Sequence, residues 1–140
     1  MDLDLIITRL KATLTGFKAI GGAADLDAAI GGAVAVPTAF VIPLADSARP
    51  NGMVGVHDQL ITQAFGVVLV AANRRDTTGA AALTDLKDLR LQVRDALAGW
   101  APTPEGEPVE IVGGRMLQLD GDGRLWWIDE FSLQTYYRSP

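Results

Sequence analysis

Asp120-Gly121-Asp122-Gly123-Arg124-Leu125-Trp126-Trp127-Ile128-Asp129-Glu130-Phe131 joins a tight turn to a run of strand formers, and its reading decides the class of the fold. Side chains alternate across a strand, so Leu125, Trp127, Phe131 and Leu133 share one face while Trp126 and Ile128 share the other. Both faces are apolar. Five of the nine aromatic residues fall in the last fifteen positions, Tyr136 and Tyr137 among them. Two readings follow: a strand buried on both sides within one subunit, or a strand whose second face covers a partner. On the second, Leu125, Trp127 and Phe131 pack under helices, and Trp126 and Ile128 are more exposed in the free subunit.

Working outward, Arg124 to Leu133 and Glu110 to Leu119 are the two arms of a hairpin closed by Asp120-Gly121-Asp122-Gly123. Gly113-Gly114 within it marks a bulge or a close backbone approach. Ala80 to Ala98 has helical periodicity. Its apolar stripe is Ala82, Leu86, Leu89, Val93, Leu97 and Trp100, and its mixed-charge face is Asp85, Lys87, Asp88, Arg90, Arg94 and Asp95. Gly99 stands where a left-handed residue ends a helix, and Pro102 prevents resumption. Gln59 to Ala72 is almost continuously apolar and is expected to be the central strand. Ala33 to Leu44 is a further strand, ended by the polar run Asp46 to Gly52. At the start, Leu3, Ile6, Ile7, Leu10, Leu14 and Phe17 recur at helical spacing, with Asp2 or Asp4 suited to the helix's positive end. An extended segment near Phe17 to Ile20 and a short helix from Asp25 to Ile30, closed by Gly31-Gly32, complete the pattern. This order predicts a single α+β domain over residues 1–140, with an antiparallel sheet, helices mainly on one face and a C-terminal β-hairpin.

At 140 residues the chain is long enough to bury a core without staples. It has no cysteine, which removes disulfides, thiolate metal sites and cysteine nucleophiles. The net charge of -5 argues against general nucleic-acid binding, which depends on Lys and Arg. No apolar run approaches the roughly 20 residues that span a bilayer, and Met1-Asp2-Leu3-Asp4 is acidic where a secretory signal is basic. The expectation is a soluble protein made and kept in the cytosol, with no membrane partner.

A search for chemistry finds little. The only histidine, His57, adjoins Asp58, but neighbours on a strand face opposite ways, so a structural histidine outweighs a catalytic one. No cluster has metal-ligand spacing. Asp120-Gly121-Asp122-Gly123 resembles the start of a calcium loop, yet Phe131 stands where the closing Glu belongs. No Gly-rich phosphate loop or nucleophile elbow is present, so no catalytic, cofactor-binding or metal residue is assigned. Arg74 and Arg75, beside Asp76, read either as a solvated loop or as partners for acidic groups on another subunit.

The order of segments, however, resembles a known family. Pro37-Thr38-Ala39-Phe40-Val41-Ile42-Pro43-Leu44, then Gln63 to Asn73 with Asp76 and Gly79, then Ala96-Leu97-Ala98-Gly99-Trp100-Ala101-Pro102, then Leu125-Trp126-Trp127 through Tyr137-Arg138, is similar to the tail terminator (tail completion) proteins of long-tailed bacteriophages. The resemblance covers roughly the last three quarters of the chain. It implies a structural virion protein, not an enzyme, whose ring of six subunits caps the tail tube, stops tube polymerisation and offers a surface to head-completion proteins. The tube protein, a connector protein and, in a contractile tail, the sheath are then partners, and the genome only passes through the lumen. Trp126, Ile128, Tyr136, Arg74, Arg75, Arg49 and Asn51 are the residues expected at subunit or partner contacts. The polar loops Asp46 to Gly55 and Pro102 to Pro108 are expected to be exposed, at least one of them ordering on a neighbour, and removal of Ser47 to Asn51 is expected to spare the fold. A different head-to-tail joining protein, or a small ligand-binding or enzymatic domain using His57 and Asp58, are the alternatives.

Overall fold

In the computed structural model, which describes residues 2–32, 34–72, 80–119 and 123–139, the apolar run beginning near Gln59 is the long strand His57–Ala72, in the middle of a sheet. The elements in chain order are α1 (Leu3–Thr13), β1 (Ala19–Gly21), α2 (Ala23–Ile30), β2 (Thr38–Ala48), β3 (His57–Ala72), α3 (Ala80–Leu97), β4 (Glu110–Leu119) and β5 (Arg124–Ser139). They form an α+β fold around one five-stranded sheet of order β1-β2-β3-β5-β4. β3 and β5 pair without interruption from His57↔Ser139 to Ala72↔Arg124. β4 and β5 form the expected hairpin, although residues 120–122 of its turn lie outside the described set.

The sheet is mixed where an antiparallel one was expected. β1 runs parallel to β2, Ala19 opposite Thr38 and Gly21 opposite Phe40, because α2 carries the chain back before β2 begins. That crossover also places α2 on the face opposite α1 and α3. On the first face Ile6 and Leu10 of α1 and Leu86, Leu89, Val93, Ala96 and Leu97 of α3 pack on Val41, Phe65, Val67, Leu69, Leu125 and Phe131. On the second, Ala29 of α2 packs with Phe40, Val68, Val70 and Ile128. Ile128 is only 2% exposed. Its expected exposure is therefore wrong, since α2 covers that face of β5. Leu125 and Phe131 are buried under the helices as read, with Trp127 packed against the same cluster.

Two more boundaries move. β2 does not end at Leu44: Leu44 forms a bulge, after which Ala45 to Ala48 pair with Ala64 to Ile61. Backbone pairing overrides the local turn chemistry of Asp46 and Ser47. Removing Ser47 to Asn51 would thus take out two ladder residues, contrary to the expectation that the fold is spared. β5 likewise continues past Leu133 to Ser139.

α1 stops at Thr13, short of Leu14 and Phe17 of its stripe, and α2 begins at Ala23, two residues before Asp25, while two other helix ends follow the sequence. Asp2 caps α1, its carboxylate accepting the N–H of Asp4 at 2.9 Å. Gly99 has φ +79° after α3, the left-handed geometry of a helix stop. The loop from Pro102 to Pro108 is exposed beyond Pro102, but its base is stapled: Gly99 N–H donates to the Val109 carbonyl at 2.8 Å and Val109 N–H to that of Trp100 at 2.9 Å. The Ala82 side chain lies outside the described set.

Candidate assembly interface

Three features of the surface follow from this arrangement, and one of them is closed to partners. Asp129 falls on the helix face of β5 and is completely buried. Arg90 of α3 reaches across to it, Nε donating to both carboxylate oxygens at 3.1 Å and Nη2 to Oδ1 at 2.9 Å. Arg94 Nη2 lies 3.5 Å from Oδ1 and Trp127 Nε1 donates to it at 3.2 Å. The Arg90 guanidinium also lies over the Trp127 ring at 4.3 Å. Gly114 of β4 permits this crowding, because a Cβ there would stand 2.5 Å from Asp129 Oδ1. Of the two readings of Gly113-Gly114, Gly114 shows the close approach, to a buried ion pair, and the register slips just before Gly113. Arg90 and Arg94, read as part of a mixed-charge face, are only partly exposed and turn inward to Asp129.

The second feature is a groove of about 540 Å³ on the opposite face of the sheet. Its floor is Ile42, Val68, Trp126 and Ile128, with Leu26, Ala29 and Ile30 of α2 on one side and Arg115, Leu117 and Gln118 of β4 on the other. β4 beside it is a sheet edge with Ile111, Val112, Met116, Leu117 and Leu119 all exposed. Apolar side chains stand on both faces of that strand.

The third feature is an arm. Beyond the bulge at Leu44, the end of β2, the start of β3 and the end of β5 continue as a narrow ribbon, with Tyr136 and Tyr137 exposed on it. The loop at its tip exposes Met53, Val54 and Val56. Asn51 organises that loop: Oδ1 accepts from Met53 N–H at 3.3 Å and Asp58 N–H at 3.0 Å, while Nδ2 donates to the carbonyls of Met53 at 3.3 Å and Val56 at 3.1 Å. Replacing Asn51 with alanine is expected to lower stability by about 1 kcal/mol or less, while limited proteolysis shows faster cleavage between residues 50 and 57. Unchanged cleavage would mean that the side chain does not hold the loop.

The expected contact residues thus separate into two groups. Trp126, half-buried, and Ile128 lie at the groove; Tyr136, Arg49 and Asn51 lie on the arm. Arg49 N–H donates to the Leu60 carbonyl at 2.9 Å and its own carbonyl accepts from Gln59 Nε2 at 3.0 Å. Arg74 and Arg75 lie outside the described residues. The reading missed Met53, Val54 and Val56, whose signal was an apolar cluster inside a polar run. It also missed the β4 edge, signalled by Ile111-Val112 and Met116-Leu117, neighbours that cannot share one face.

His57 is exposed, hydrogen-bonded to Gln59 and edge-on to Tyr137 at 5.9 Å, while Asp58 pairs with Arg138 at 3.4 Å. Their partners differ, so the geometry gives no acid-base pair. Among the described residues no group of three or more His, Asp or Glu side chains could hold a metal ion, and no helix is long and apolar enough to cross a membrane.

A subunit whose buried charges serve its own core, and whose outward features are an apolar edge, a groove and an arm, belongs with proteins that act by contact. The family model described as phage tail terminator protein matches residues 1–139, and the chain belongs to that family. The family is one of structural tail proteins, not enzymes. The fold is similar to that of a chain in the virion of a native gene transfer agent particle, with a TM-score of 0.53 and 12% identity over 94% of this chain and 92% of that one. No curated protein matches the sequence.

Proposed function

We propose that the protein, one terminator unit over residues 1–140, forms a ring of six on the end of the tail tube, stops tube polymerisation and presents the surface that the head joins. The observation that carries this reading is the family match across residues 1–139. The ring assembles in the host cytoplasm and sits at the head-proximal end of the tail, between the tube protein and a head-completion protein, touching the sheath if the tail contracts. Capping is stoichiometric, without turnover.

The physics supports it. A ring needs two different patches per subunit, and a rotation of about 60° closes six. Trp126 at the groove and Tyr136 and Arg49 on the arm are contact residues in this reading, with Arg74 and Arg75 as candidates beside them. Ile128 supports Trp126 from below, and Asn51 shapes the loop. The net charge of -5 suits a lumen through which DNA slides without sticking.

Phage lacking this protein are expected to make overlong tails without heads in negative-stain micrographs, and added protein is expected to bind the ends of purified tubes. Tails of normal length in its absence would refute the proposal.

A further inference from the structure

We infer that the hairpin tip Met53–Val56 inserts into the groove beside α2 on a second copy of this chain, and that this is the contact that closes the ring. The inference rests on the ring proposed above and names its two patches. The tip is a knob: Val54 is 99% exposed, Met53 54% and Val56 46%, a concentration of apolar surface that water does not favour. It is also a shaped knob. Four hydrogen bonds from the Asn51 side chain fix its backbone, so little ordering remains to be done on contact.

The groove has matching character, about 540 Å³ with an apolar floor of Trp126 and Ile128 and apolar lips at Ile30 and Leu117, which are 68% and 46% exposed. Knob and groove of one chain cannot meet. The groove lies at Ile42 and Val68, whereas the tip lies past Ala48, six residues further along a strand that advances about 3.3 Å per residue. Pairing of β2, β3 and β5 fixes that separation of roughly 20 Å. Two unlike patches on each subunit that can join only between subunits make a heterologous contact, the kind that closes rings. The area also fits. The free subunit exposes 8227 Å², of which two ring contacts at roughly 800 Å² each would cover about a fifth.

The chain has no cysteine, so cross-linking can be placed at will. Rings are assembled on purified tube ends from the double variant Val54→Cys with Ile30→Cys and oxidised. The expected result is a ladder of covalent oligomers reaching the full ring, at least tenfold more than from Val54→Cys with Leu83→Cys, whose second site is exposed on α3 across the sheet. Rings that form normally but cross-link no better than this control overturn the inference while leaving the ring intact. So does capture of Val54→Cys by the tube protein, or a Val54-to-Val54 dimer. An absence of rings at tube ends defeats the functional proposal and this inference together. Val54→Asp offers a second readout: melting within about 2 °C of the parent, with ring formation lost.

Discussion

Truncating Phe65 to alanine is expected to lower the stability of the subunit by about 4 kcal/mol. Phe65 is fully buried at the centre of β3, directly opposite Phe131 of β5, and the two rings stack with centroids 5.6 Å apart and planes 20° from parallel. Alanine removes the transfer energy of a phenyl ring, leaves a cavity that strands on either side keep open, and forfeits the aromatic pair, itself worth about 1 kcal/mol. A domain of this size is stable by about 10 kcal/mol, so the variant still folds but melts roughly 10 °C or more lower. Urea denaturation gives the number. A loss under about 2 kcal/mol would show that the sheet collapses around the gap.

Replacing Asp129 with alanine is expected to cost about 3 kcal/mol. The carboxylate is completely buried, and its removal leaves Arg90 without the pair that holds it. The full cost of orphaning a buried charge is about 3–5 kcal/mol, but the Arg90 and Arg94 side chains are 25% and 33% exposed, so both can turn toward water, which puts the effect at the low end. Asp129→Asn keeps the volume and an acceptor and should lose about 2 kcal/mol. A double-mutant cycle with Arg90→Met separates the pair from packing: coupling above about 1 kcal/mol is expected, and simple additivity would mean that the two residues act independently. Because the clasp ties α3 and β4 to β5, the same variants are expected to lose amide protection along β4 first.

These two positions bear on how much could be read from the chain. Phe65 and Phe131 were legible, since alternation puts Phe131 with Leu125 and Trp127, and a continuous apolar run such as Gln59 to Ala72 has few places except the middle of a sheet. Asp129 was not. An acid inside Trp-Trp-Ile-Asp-Glu-Phe gives no local sign of the arginine that meets it from a helix 39 residues earlier, and periodicity alone ranked Arg90 with solvent. The mixed sheet and the cover over Ile128 were missed for a related reason. A short helix such as Ala23–Ile30 carries too few residues to show which face of a sheet it will take. The polar stretch Asp46-Ser47-Ala48 misled because turn chemistry is local, whereas its pairing with Ile61 to Gln63 is supplied by another strand. Of the residues proposed for contact, Trp126 and Tyr136 stood out through surplus apolar character; Met53, Val54 and Val56 escaped because they form a short apolar cluster between the polar run Asp46 to Asn51 and His57-Asp58.

The bulged edge strand has a consequence for the subunit before it meets a tail. β4 ends the sheet with ten residues and a row of exposed apolar side chains, a setting in which unassembled proteins zip edge to edge into fibres. Its register with β5 slips at Val112 and again at Leu117, leaving only Gly113 to Met116 in unbroken alignment. A foreign strand laid along it would lose step after four residues, too few to template a second sheet. The two irregularities thus act as a safety catch against edge-to-edge pairing of subunits along β4.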